Sequence, residues 1–195
     1  MNFGQLKANI LELIGRAPAS VCYELVTADI NQEMRLHVME ASTTVSESAE
    51  ITLPDDFLEI LTIYRNVNPR TILKPITPQQ LHDVFQASGT PAFYAIEDEQ
   101  IRLAPSPSGS EDLVIRYYAK LDDLSLDADQ NVVLAKYPSI YVYGVLAHHA
   151  ALIRDTQSAA MWLGAYEKAK KQARADDQKY RYGGAPIVPT ARATA

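Results

Sequence analysis

The chain has 195 residues with a net charge of −6, 47% hydrophobic and 22% charged, the balance of an ordinary soluble globular protein able to bury about 70% of its unfolded surface. Its one cysteine, Cys22, excludes an internal disulfide, no apolar run approaches the ~20 residues of a membrane span, and MNFGQLKANILELIGR lacks the basic-then-apolar order of a secretory signal. Secreted, membrane and collagen-like classes drop out, leaving a cytoplasmic or virion-type soluble protein.

Residues 3 to 14 carry Phe3, Leu6, Ile10, Leu13 and Ile14 at three- and four-residue steps, the stripe of an amphipathic helix. Gly15 and Pro18 end it, and Ser20 is placed to cap a second helix with Val21, Leu25, Ala28, Met34 and Val38 as its apolar positions. Period two takes over near residue 43. Thr43, Val45, Glu47, Ala49, Ile51 and Leu53 share a strand face, Pro54 with Asp55 and Asp56 makes a turn, and FLEILTIY (57–64) reads as a buried strand. Thr77 and Pro78 open a short helix near 78–86 that Gly89 and Pro91 stop. AFYAI (92–96), EDEQ (97–100) and IRLAP (101–105) read as a hairpin with a charged four-residue tip. LVIRYYAKL (113–121) is a third strand, so the segment predicts a small antiparallel sheet.

After an acidic connector (122–131), residues 132–153 form a helix bent or begun anew at Pro138. Asp155 or Thr156 caps a last helix running to about Tyr182, with Ala159, Trp162, Leu163, Tyr166, Ala169 and Ala173 as its stripe. Gly183 and Gly184 end it, and APIVPTARATA has too little apolar surface to fold alone. The expected fold class is α+β and mainly helical, with a long-helix core, a small antiparallel β insertion and an extended C-terminal arm. The expected organisation is one domain over 1–182, helical over 1–40 and 130–182 and β-containing over 43–121, with a flexible arm over 183–195.

Motifs for catalysis are missing together. There is no GxxxxGK[ST] phosphate loop, SPSGS (106–110) lacks the first glycine of a nucleophile elbow, and DADQN (127–131) has Val132 and Pro138 where a calcium loop needs glycine and glutamate. Its acids read instead as helix N-terminal acids. His148 and His149 diverge by about 100° on one helix and cannot chelate together. His37 and His82 have no ligand-spaced partner, Cys22 reads as a buried inert thiol, and Asp55 and Asp56 read as turn and cap acceptors. No enzyme and no cofactor or metal site is expected.

The charge is uneven. Residues 154–195 hold eight Lys or Arg against four acids, whereas residues 1–153 hold ten bases and twenty acids. A basic end on an acidic body can serve as a nucleic-acid arm or as a docking segment for an acidic protein surface. Lys168, Lys170, Lys171 and Arg174 are interleaved with Glu167, Asp176 and Asp177 around the helix, so they form no single basic stripe. A small nucleic-acid-binding module using this helix, or an enzyme of unrecognised motif, remains the alternative reading.

The order of segments carries more. LPDDF (53–57), a strand, ILKPITPQQL (72–81), GTPAFYAIEDEQIRLAPSPSG (89–109), a strand ending in YYAKL (117–121) and YPSIYVYGVLAHHAALIRDTQSAAMWLGAYEKAKKQA (137–173) together resemble the bacteriophage head-to-tail adaptor (connector or head-completion) proteins. The resemblance covers roughly residues 50–182. It implies a non-enzymatic ring, typically dodecameric, in the virion at the head-tail interface and in the host cytoplasm during assembly. Its implied partners are the portal protein, tail proteins of the nozzle or tail-completion kind, and its own copies, with genomic DNA passing transiently and no membrane. Tyr180, Tyr182, Ile187, Val188 and Arg192 would belong to a portal-docking arm, and Pro105 and Pro107 would stop edge pairing after the second hairpin strand. Trp162 and Tyr166, one helical turn apart, would pack the last two helices together with Tyr141.

Overall fold

The computed structural model describes residues 1–84 and 88–183. In chain order these form α1 (Phe3–Ile14), α2 (Ser20–Glu33), a 3-10 turn (His37–Met39), β1 (Glu40–Ser46), β2 (Glu50–Thr52), β3 (Phe57–Arg65), β4 (Thr71–Ile72) and β5 (Lys74–Pro75). There follow α3 (Pro78–Val84), β6 (Ser88–Gly89), β7 (Phe93–Glu97), β8 (Gln100–Ala104), β9 (Ser106–Pro107) and β10 (Asp112–Ala119). The chain then runs through α4 (Val132–Lys136), α5 (Pro138–Leu152) and α6 (Thr156–Tyr182). It is an α+β protein that divides into two compact units, one of Met1–Val38 with the chain from Leu121, the other of Met39–Lys120.

In the helical unit, α5 is the central element and packs against α1, α2, α4 and α6. Its sequence is apolar nearly all round, and Ile140, Tyr141, Val145, Leu146 and Ala150 are buried, as befits a helix enclosed by others. Ile140, Val145 and Leu146 each contribute about 1.5–3 kcal/mol when fully buried. Gly144 permits the closest approach: a Cβ there would stand 2.8 Å from Val26 and 3.0 Å from Tyr166. The helix ends are set locally. Asn2 and Gln5 form a reciprocal capping box on α1, Pro138 is the first residue of α5, and Asp155 caps α6 through the Ser158 amide at 3.1 Å.

Two helical faces differ from their sequence reading. On α2, Val21 and Leu25 face solvent, and the buried side is Cys22, Tyr23, Val26, Thr27, Ile30 and Asn31. The misreading has a physical cause: Thr27 and Asn31 are polar yet hydrogen-bonded inside, so the inward face carries no simple apolar stripe. On α6, Leu163 leaves the stripe and is exposed, whereas Lys170 enters it and is buried. The acids of DADQN also act differently. Asp129 accepts the amides of Ser125 and Leu126 at 2.8 and 2.6 Å, and it is Asn131 that caps α4, through the Leu134 amide at 2.9 Å.

The β unit is larger than one small antiparallel sheet. It holds two four-stranded sheets, ordered β1-β10-β3-β4 and β2-β8-β7-β5, and a two-stranded ladder of β6 with β9. The run from Thr43 to Leu53 is not one strand: β1 pairs β10 in the first sheet and β2 pairs β8 in the second. Between them Glu47 turns inward and forms a buried ion pair with Arg65. Ile51, Ile63, Leu73, Tyr94, Ile101, Leu103, Leu113, Ile115 and Tyr117 make a core common to both four-stranded sheets. The β5–β7 and β6–β9 pairs are parallel. Pro107 therefore lies within a ladder, opposite Gly89, instead of stopping pairing; such a short edge ladder tolerates a residue with no amide donor.

The β7–β8 hairpin has a two-residue tip, because Glu97 pairs with Gln100. Asp98 and Glu99 both adopt positive φ, 50° and 59°, the backbone of the two-residue turns whose twist matches the flanking strands.

Candidate interaction surfaces

The polar residues of the helical unit are spent largely on one another. Inside, Asn131 donates from Nδ2 to the Tyr141 hydroxyl at 2.7 Å, which lies 3.1 Å from Thr27 Oγ1, itself 3.1 Å from the Tyr23 carbonyl. The donor count fixes the direction: Tyr141 gives its proton to Thr27, and Thr27 gives its own to the carbonyl. Asn31 Oδ1 accepts the Leu121 amide at 2.9 Å. These bonds link α2, α5 and the N-terminal cap of α4. Burial pushes the Tyr141 hydroxyl pKa up, so the ring stays neutral.

A second network ties the last turns of α6 to the 3-10 turn. Lys136 Nζ lies 2.7 Å from His37 Nε2. An ammonium only donates, so Nε2 is the acceptor there and Nδ1 is the nitrogen that donates to Asp177 at 2.7 Å. Arg181 binds the other Asp177 oxygen at 2.6 Å. Burial raises the Asp177 pKa, but the bonds from Arg181 and His37 outweigh it and hold the carboxyl below its usual range. Tyr180 stacks on His37 with ring centres 3.9 Å apart, and Lys136 lies over the same Tyr180 ring. Tyr180 and Tyr182 are thus helical residues of α6, both largely exposed. Ile187, Val188 and Arg192 lie outside the described residues.

The cations of α6 are sorted by this packing. Lys170 is buried between Glu33 and Glu167, both at 2.7 Å, and these carboxylates outweigh its burial and raise its pKa. Arg174 donates to the Glu33 carbonyl at 3.2 Å, and Lys179 faces Asp176 at 3.9 Å. Lys168 and Lys171 are exposed on the outer side. A continuous basic stripe for phosphates does not form.

Of the expected packing residues, Tyr141 and Tyr166 are buried. Trp162 is half-buried and stacks on Tyr143 of α5, ring centres 6.1 Å apart. It also lines a cavity of about 330 Å³ where α1 and α5 end and α6 begins, with Ile14, Arg16, Leu146, His149 and Ile153. There Arg16 Nε donates to His149 Nε2 at 3.0 Å; burial and this guanidinium push the His149 pKa down. His148 meets Asp29 at 3.0 Å. Cys22 is fully buried. Asp56 accepts the Tyr117 hydroxyl at 2.9 Å, which with burial lifts that phenol to about 12.

Sequence reasoning missed His37, Lys136, Asp177 and Lys170 as partners. Their separations of 99 to 140 residues leave no local pattern to read. Among the described residues no cluster of three or more His, Cys, Asp or Glu could hold a metal ion, and no helix is long and apolar enough to cross a membrane. What the geometry presents is a two-unit α+β protein with fixed polar networks inside and apolar and charged residues left outward for contact. A sequence model of the SU10 adaptor protein family matches residues 1–190, and the chain belongs to that family. It is accordingly an adaptor protein of the bacteriophage virion. A search of curated proteins gave no match.

Proposed function

We propose that the protein is a non-enzymatic head-to-tail adaptor, assembled as a ring beneath the portal, that prolongs the DNA channel and gives tail proteins their attachment site. The observation that carries this reading is family membership over residues 1–190. Two features support it. Exposed Leu13, Leu152, Met161 and Leu163 on the helical unit are apolar surface suited to protein contact. The acidic excess of residues 1–153 repels phosphates, which lets DNA pass without being gripped. Assembly takes place in the host cytoplasm, and closed rings need head-to-tail interfaces that use two different patches of one protomer.

The test is to incubate the full chain with the portal of its own phage and image the product by negative-stain microscopy. A ring stacked on the portal is the expected result, and a chain that never joins the portal overturns the reading. The residues after Gly183 are assigned to portal docking. A chain ending at Gly183 should melt at the full-length temperature and yet bind portal more weakly; a melting point several degrees lower rejects that assignment.

A further inference from the structure

We propose that the cavity at the junction of α1, α5 and α6 receives the β7–β8 hairpin tip of a second copy of this chain. The inference rests on the ring reading and names its head-to-tail contact.

The receiving side is apolar and cationic. Ile14, Leu146, Ile153 and Trp162 wall the cavity, and exposed Leu13 and Leu152 adjoin its lining in sequence. Arg16 stands at the wall bonded to His149, an imidazole kept neutral by burial and by that guanidinium. A neutral acceptor does not cancel a charge, and Arg16 has no carboxylate partner among the described residues. Arg154, exposed at φ 61° in the α5–α6 turn between the lining residues Ile153 and Asp155, is a second cation with no ion-pair partner among the described residues. Asp155 also lines the cavity; its carboxylate accepts the Ser158 amide as the α6 cap and keeps its negative charge, so Arg16 and Arg154 leave the corner with a net excess of one positive charge.

The entering side is complementary. Asp98 and Glu99 fill both tip positions and have no ion-pair partner among the described residues, whereas adjacent Glu97 is paired with Arg102 and His82. Ile96, two residues before Asp98, is exposed on its strand. The tip therefore offers one β-branched side chain beside two carboxylates without ion pairs among the described residues, and the corner offers an apolar cavity with Arg16 and Arg154 outnumbering the single Asp155 carboxylate. Opposite charges on two different patches steer association and fix its register, and the heterologous geometry is the one a closed ring requires.

Trp162 is the sole tryptophan and lines the cavity, so its emission in the full chain reports occupancy. The wild-type chain should self-associate across about 1 μM to 1 mM, more weakly as salt rises, with a blue shift of Trp162 emission. Asp98→Lys with Glu99→Lys should weaken association at least about tenfold. Arg16→Glu with Arg154→Glu should do the same, and mixing the two variants should restore it, because each then meets its reversed partner. Ile96→Asp, on the entering side alone, leaves the cavity intact and should also abolish the shift. Emission unchanged across the concentration range, reversals without effect, no restoration on mixing, or a shift seen only when portal is added overturns the contact. Rings on the portal that ignore the reversals discard this contact and keep the ring reading; absence of rings on the portal discards the ring reading itself.

Discussion

At Tyr141 two hydrogen bonds depend on one hydroxyl. Tyr141→Phe keeps the ring but leaves the Asn131 amide and the Thr27 oxygen each short of a partner in the interior. The expected cost is about 1–3 kcal/mol of unfolding free energy by urea titration, with little change in helical circular dichroism. His149 sets a pH dependence. Its folded pKa lies below the ordinary 6.5, so the unfolded chain binds the extra proton first. Its contribution is complete above pH 6.5 and is lost as pH falls through that value toward the folded pKa. Thermal melts between pH 7.5 and 5 (values bracketing the ordinary histidine range of about 6.5) should show a declining midpoint, and His149→Gln should flatten the decline.

At the scale of elements, the α2–α5–α6 junction depends on Gly144. With a Cβ 2.8 Å from Val26 and 3.0 Å from Tyr166, Gly144→Ala forces the helices apart against a buried valine and a buried tyrosine. A loss of about 1–3 kcal/mol is expected in spite of alanine's better helix propensity. The hairpin tip shows the opposite situation. Glu99 holds a left-handed φ of 59°, where glycine is unstrained, so Glu99→Gly should raise stability by about 0.5–1 kcal/mol in urea titration. The same change removes one of the two carboxylates assigned to the neighbouring copy, so stability and self-association should move in opposite directions.

At the scale of the whole molecule, net charge decides the response to DNA. The body is acidic, and on α6 Lys170, Lys179 and Arg181 already face carboxylates. Duplex DNA should bind no more tightly than about 100 μM near physiological salt, the weak end of non-specific association. Fluorescence anisotropy of a labelled duplex at two salt concentrations checks this. A salt-sensitive complex in the low micromolar range would move the DNA-contacting role to Lys168 and Lys171.

Local rules in the sequence determined where most elements begin and end. Proline at the start of α5, the Asp155 cap of α6, the Thr77–Gln80 capping box and glycine in the left-handed position at Gly183 each act within one helical turn, so they are legible without a partner. The apolar, β-branched run FLEILTIY (57–64) likewise marked β3, and LVIRYYAKL (113–121) marked β10. The tertiary structure alone decided the rest, because it depended on partners far along the chain. The inward face of α2 is set by Tyr141 and Leu121, which satisfy Thr27 and Asn31. The burial of Lys170 is set by Glu33, 137 residues away. The passage of the chain from one sheet to the other between Ser46 and Glu50 is set by which strands lie beside β1 and β2. A buried polar group and an exposed one look the same in a sequence; the difference is a hydrogen-bonding partner, and only the fold supplies it.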